Sequence, residues 1–86
     1  ISELATYIKD KNFREMRKWV ALNSDIDTSA IIRGIYDTAY EHIHPRSIPH
    51  AVIILADYQY KAAFVADKEL NMVACLTELM GETTWK

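Results

Sequence analysis

The chain has 86 residues, half of them apolar and 26% charged, with a formal net charge of −2. That composition excludes a disordered chain and gives no overall basic signature for nucleic acid, and the length allows one domain with a modest core. Two Gly and two Pro are too few for the many turns of an all-β fold, and a single Cys excludes an internal disulfide.

In chain order, Ser2 reads as the cap of a short first helix over 2–9, with Leu4, Tyr7 and Ile8 on its apolar side. Asn12, with Glu15 three residues on, has capping-box spacing and opens a second helix. Phe13, Met16, Trp19 and Val20 give that helix one apolar face. Across it Lys9, Lys11, Arg14, Arg17 and Lys18 stand against Asp10 and Glu15, a local net of +3. Such a cluster suits phosphate contact, and it equally suits a solvated helix face. Asn23-Ser24-Asp25 is a polar break.

Asp27 is a natural N-cap for a third helix. Ile31, Ile32, Ile35, Tyr36, Ala39, Tyr40 and Ile43 then recur as pairs every four residues, which predicts one amphipathic helix up to the stop at Pro45. Gly34 inside it suggests close approach by another helix. Ser47 or Ile48 caps a fourth helix that carries Pro49 in its first turn and continues to Val65. Asp57 and Lys61 form a favourable i,i+4 pair on it. Asp67 caps a fifth helix, striped by Leu70, Val73, Ala74 and Met80 and widened by Met72, Leu76 and Leu79. Gly81 reads as its C′ residue, with a fraying tail to Lys86. The expected fold class is all-α, a five-helix bundle forming a single domain over 1–86.

The fourth and fifth helices are apolar on nearly every side, and so short a chain has little interior to hide them in. That points to an assembly. The aromatics Tyr36, Tyr40, Tyr58 and Tyr60, with Ile54, are the candidate subunit interface, because tyrosine suits contacts with one dry and one wet end. Tyr58 and Tyr60 lie about 200° apart on a helix, so at least one of them faces outward.

Nucleotide-binding and hydrolase motifs are missing: there is no G-x-x-x-x-G-K-[ST] loop, no G-x-S-x-G, no H-E-x-x-H and no C-x-x-C. No catalytic, cofactor-binding or metal-ligating residue is therefore assigned. His42, His44 and His50 cluster in one connector and could be offered to zinc, although no fourth ligand is in view. Cys75 could be paired with one of them as a nucleophile, but it sits in an apolar stripe, where a thiol behaves as a small hydrophobe. An unbridged thiol fits a reducing cytoplasm. The chain begins at Ile1 without Met, which implies a piece of a longer protein.

At Leu55-Ala56-Asp57-Tyr58-Gln59-Tyr60-Lys61, followed by a break and an apolar last helix, the chain resembles the C-terminal collar domain of sliding-clamp loader ATPase subunits of the T4-type bacteriophage kind. The likeness extends over 9–20 and 64–71, and departs at Ala66, where many relatives carry glycine. The resemblance implies an AAA+ parent whose ATPase and lid domains precede residue 1 and use ATP and Mg. It implies a hetero-pentamer joined through collars, with the sliding clamp and primer–template DNA held by the parent's other domains. It also implies DNA replication in the cytoplasm of an infected bacterial host, and a collar that itself performs no chemistry. The alternative expectation is a small helical nucleic-acid-binding module using Lys9, Lys11, Arg14, Arg17 and Lys18.

Overall fold

A computed structural model describes residues 2–86. Over the described residues the fold is all-helical, with six α-helices rather than five: α1 (Ser2–Lys9), α2 (Phe13–Leu22), α3 (Thr28–Asp37), α4 (Ala39–His42), α5 (Ile48–Ala62) and α6 (Lys68–Glu82). A 3-10 turn, Pro45–Ser47, sits between α4 and α5.

Ser2 lies within α1 and not before it, so it is not the cap expected of it. The turn from α1 to α2 is a Schellman motif. Asn12 N–H donates to Tyr7 C=O (2.8 Å) and Lys11 N–H to Ile8 C=O (3.1 Å). The motif needs a left-handed residue, and Lys11 takes that place with φ 56°. Asn12 then caps α2, its side chain accepting from Glu15 N–H at 3.2 Å. Asp27 caps α3 by accepting from Ser29 N–H (3.3 Å), and Asp67 caps α6 by accepting from Leu70 N–H (3.0 Å).

The expected single helix to Ile43 breaks at Thr38. Its hydroxyl donates to Gly34 C=O at 2.8 Å, alongside its own backbone N–H (3.2 Å). Hydroxyl back-bonding of this kind bends helices. Here it sits at the junction between α3 and the single turn of α4. The fourth expected helix stops at Ala62, short of Val65, and Lys68 Nζ donates to the free Ala62 carbonyl at 2.7 Å. Ser47 makes no side-chain cap for α5. Its hydroxyl instead accepts from Thr84 N–H at 3.0 Å. Gly81 is interior to α6, which ends at Glu82 with Thr83 as C-cap. The tail is not frayed: an antiparallel bridge pairs Ile43 with Trp85, and Lys86 N–H donates to His42 C=O at 2.8 Å.

The helices pack around α6, which lies against α5 on one side and against α1 and α2 on the other, while α3 packs on α5. One apolar cluster joins them all. It includes Leu4 and Ile8 from α1, Met16 and Val20 from α2, and Ile31, Ile32 and Ile35 from α3. Ile54, Leu55 and Tyr58 enter from α5, and Met72, Cys75, Leu76 and Leu79 from α6. Buried Asn71 donates to Tyr58 C=O at 3.3 Å, a polar tie inside the α5–α6 seam.

Candidate docking surface

Along α5, neighbouring residues face opposite ways. Ile54 is 2% exposed and Tyr58 8%, whereas Ile53 is 67% exposed and Tyr60 69%. The interface expected from the sequence is therefore corrected at two positions. Ile54 and Tyr58 belong to the core, because the α5 face that carries them is the one pressed against α6 and α3. Tyr58 O–H donates to Glu78 Oε1 at 3.0 Å, and the Lys61 ammonium lies 4.6 Å from the centre of its ring. Burial, then the Glu78 bond, raises the Tyr58 pKa above its ordinary value. Lys61 also pairs with Asp57 at 3.0 Å, as its spacing implies, and that bond raises its own pKa.

The other three tyrosines of the expected interface, Tyr36, Tyr40 and Tyr60, are exposed. Tyr60 packs beside exposed Phe64 with ring centroids 5.1 Å apart. At about 100° per residue, Ile53 and Tyr60 fall within about 20° of one another on α5, and Phe64 joins them from the turn just beyond the helix. The outward setting of Tyr60 thus also identifies Ile53 and Phe64, two residues the sequence reading passed over. Next to this stripe runs a cleft between α3 and α5. Its upper part, about 290 Å³, is lined by Ile32, Arg33, Tyr36, Val52, Leu55, Ala56 and Gln59. Its lower part, about 630 Å³, is lined by Tyr36, Asp37, Ala39, Tyr40, Ile48, Pro49 and Val52. Arg33 is held there by Asp37 (3.0 Å) and lies 5.1 Å over the Tyr36 ring.

The basic residues divide. Lys9, Arg14, Arg17 and Lys18 are exposed, and among the described residues no carboxylate lies within ion-pairing distance of them. Lys11 is exposed as well but is already engaged. Its ammonium donates to Met80 C=O at 3.2 Å, in the last turn of α6, where a cation also complements the helix dipole.

The three histidines are not brought to one point. His44 Nδ1 accepts from Arg46 N–H at 3.4 Å, His42 lies 3.9 Å from Glu41, and His50 is exposed on α5. Among the described residues no group of three or more His, Cys, Asp or Glu side chains is placed to hold a metal ion. Cys75 is fully buried, and burial pushes its thiol up to about 12. That leaves no thiolate for nucleophilic chemistry. No described helix is long and apolar enough to cross a membrane.

No protein-family model matches the chain, and no curated protein matches it.

Proposed function

We propose that the chain is an assembly module, a collar that holds one subunit of a ring against its neighbours. In this reading it is the C-terminal collar of a clamp-loader ATPase subunit of the T4-type phage kind, and the partners are the other loader subunits. The observation that carries the proposal is the flank formed by α3, α4, α5 and the turn that follows α5. Ile53, Tyr60, Phe64, Tyr36 and Tyr40 are all between 48% and 76% exposed there, beside an apolar cleft. Contiguous exposed apolar surface of this kind marks interaction sites. Its rim of Arg33, Asp37, Asp57 and Lys61 is polar and internally paired. An apolar helix face from a neighbouring collar meets both demands, since it fills the cleft without leaving a charge unpaired. ATP, Mg, the sliding clamp and primer–template DNA belong to the parent's other domains in this reading, and the setting is the cytoplasm of the infected host.

Sedimentation over a range of concentrations, alone and mixed with the partner loader subunit, tests the proposal. Association that Tyr60→Ser with Phe64→Ser abolishes is the expected result. A strict monomer that ignores every loader subunit would overturn it.

A second reading rests on the unpaired cations Lys9, Arg14, Arg17 and Lys18, which suit a nucleic-acid backbone. It predicts binding that weakens with salt, log K falling by about 0.9 per phosphate contact on duplex DNA. No affinity for duplex or single-stranded DNA at low salt removes this reading.

A further inference from the structure

Beyond α6 the chain turns extended at Thr83 (φ −130°, ψ 153°) and runs antiparallel to the connector that links α4 to the 3-10 turn. His44 N–H donates to Thr84 C=O at 2.9 Å, and Lys86 N–H donates to His42 C=O at 2.8 Å. Thr84 N–H donates to Ser47 Oγ at 3.0 Å, and Lys86 Nζ donates to Tyr40 C=O at 2.7 Å. The strap therefore grips the connector at four places between Tyr40 and Ser47. Trp85 anchors it. The indole is half-buried over a slot whose walls include Leu4, Ile8, Ile35 and His42, and its Nε1–H donates to Thr83 Oγ1 at 2.8 Å.

The same short piece of chain has a second duty. Tyr40 at its start and Ile48 and Pro49 just beyond it line the lower cleft with Tyr36 and Val52. The connector has little stiffness of its own, because α4 is four residues long and the 3-10 turn three. Helices that short do not hold a shape without tertiary support. The bonds that supply the support at Tyr40 and Ser47 are themselves exposed. Ile43 pins the middle of the connector in the core, so it is the exposed bonds on either side of it that can open without global unfolding.

We propose that Thr83–Lys86 is a latch on the docking flank and that Trp85 is its positioning residue. Latched, the strap fixes the connector and with it the lower wall of the α3–α5 cleft. Released, the connector loosens, Tyr40 and Ile48 lose their setting against Val52, and the cleft loses its shape while the α5–α6 seam stays closed. The functional meaning of the latch rests on reading that flank as the docking face; its mechanics do not.

The test uses the full chain and needs no partner. Amide exchange and side-chain chemical shifts are compared among the wild type, Trp85→Ala, Trp85→Phe and the milder Ser47→Ala. In Trp85→Ala the His44 and Lys86 amides should exchange about tenfold faster or more. The Tyr36, Tyr40 and Val52 resonances should shift, and the Cys75 and Leu79 amides should stay as protected as in the wild type. Trp85→Phe, which keeps a ring in the slot, should restore the cleft resonances, and Ser47→Ala should reproduce the Trp85→Ala shifts in weaker form. Unchanged strap amides in Trp85→Ala would overturn the proposal, as would faster strap exchange with unmoved cleft resonances. Loss of protection at Cys75 and Leu79 equal to that at His44, in both Trp85→Ala and Ser47→Ala, would also overturn it by making the strap part of the global fold. A latch that passes in a chain that never associates would sink the docking reading alone.

Discussion

Cys75 sits fully buried on α6, and its thiol shows how strongly one site can depend on its surroundings. Burial raises its pKa from 9.0 to about 12, with the Glu78 and Asp57 carboxylates pushing the same way. As pH rises, the unfolded chain gives up this proton before the folded one does. The stabilisation is therefore complete below pH 9 and is lost progressively towards pH 12. Urea melts across that range should show the wild type losing more stability than Cys75→Ala, by up to about 4 kcal/mol. Tyr58 is raised too, but it contributes equally to both proteins. Equal slopes for the two would show that the thiol is solvated. Lys11 carries the opposite lesson. Its left-handed backbone strains a side-chain-bearing residue by roughly 1–2 kcal/mol, and the ammonium bond to Met80 and the completed Schellman turn offset that cost.

On the scale of single helices, the caps at Asn12, Asp27 and Asp67 behave as their sequences imply, whereas Ser2, Ser47 and several helix ends do not. Gly81 is the clearest case. A C′ glycine would be left-handed, and replacing it with alanine would destabilise the chain. Here Gly81 has no positive φ, lies inside α6, and would place an added Cβ with nothing within 4 Å. Gly81→Ala should therefore raise stability by about 0.5–1 kcal/mol in urea melts. A loss of that size would restore the C′ assignment. The break at Thr38 was hidden because the Ile/Tyr pairs continue in phase across it. Periodicity reports which side chains are apolar, but not where the backbone leaves the helix between them.

Over the whole molecule, the surplus of apolar residues on α5 and in the turn after it resolves into two populations. One is core. Ile54→Ala should cost about 2–5 kcal/mol by leaving a cavity between α5 and its neighbours. The other is the flank, where Tyr60→Ser with Phe64→Ser should change stability by no more than about 1 kcal/mol while removing any association. Stability from chemical melts and mass from sedimentation separate the two. If the flank pair destabilised the chain as much as Ile54→Ala, Tyr60 and Phe64 would be buried parts of the fold.

The all-helical class, the caps at Asn12, Asp27 and Asp67, the break near Asn23, and the opposed settings of Tyr58 and Tyr60 were all legible in the amino-acid order. Each depends on residues within one or two helical turns, where spacing and side-chain chemistry settle the geometry. Other features came from pairs that are remote in the chain. Lys11 meets Met80, 69 positions on, and Thr84 meets Ser47, 37 positions back. Those contacts engaged the Lys11 ammonium, took Ser47 away from the α5 cap, and strapped down a tail that its own residues leave loose. They also decided which face of α5 was spent on α6, and so sent Ile54 inward and left Ile53 outside. No local pattern encodes such choices, because their energy comes from surfaces that exist only once the helices have packed.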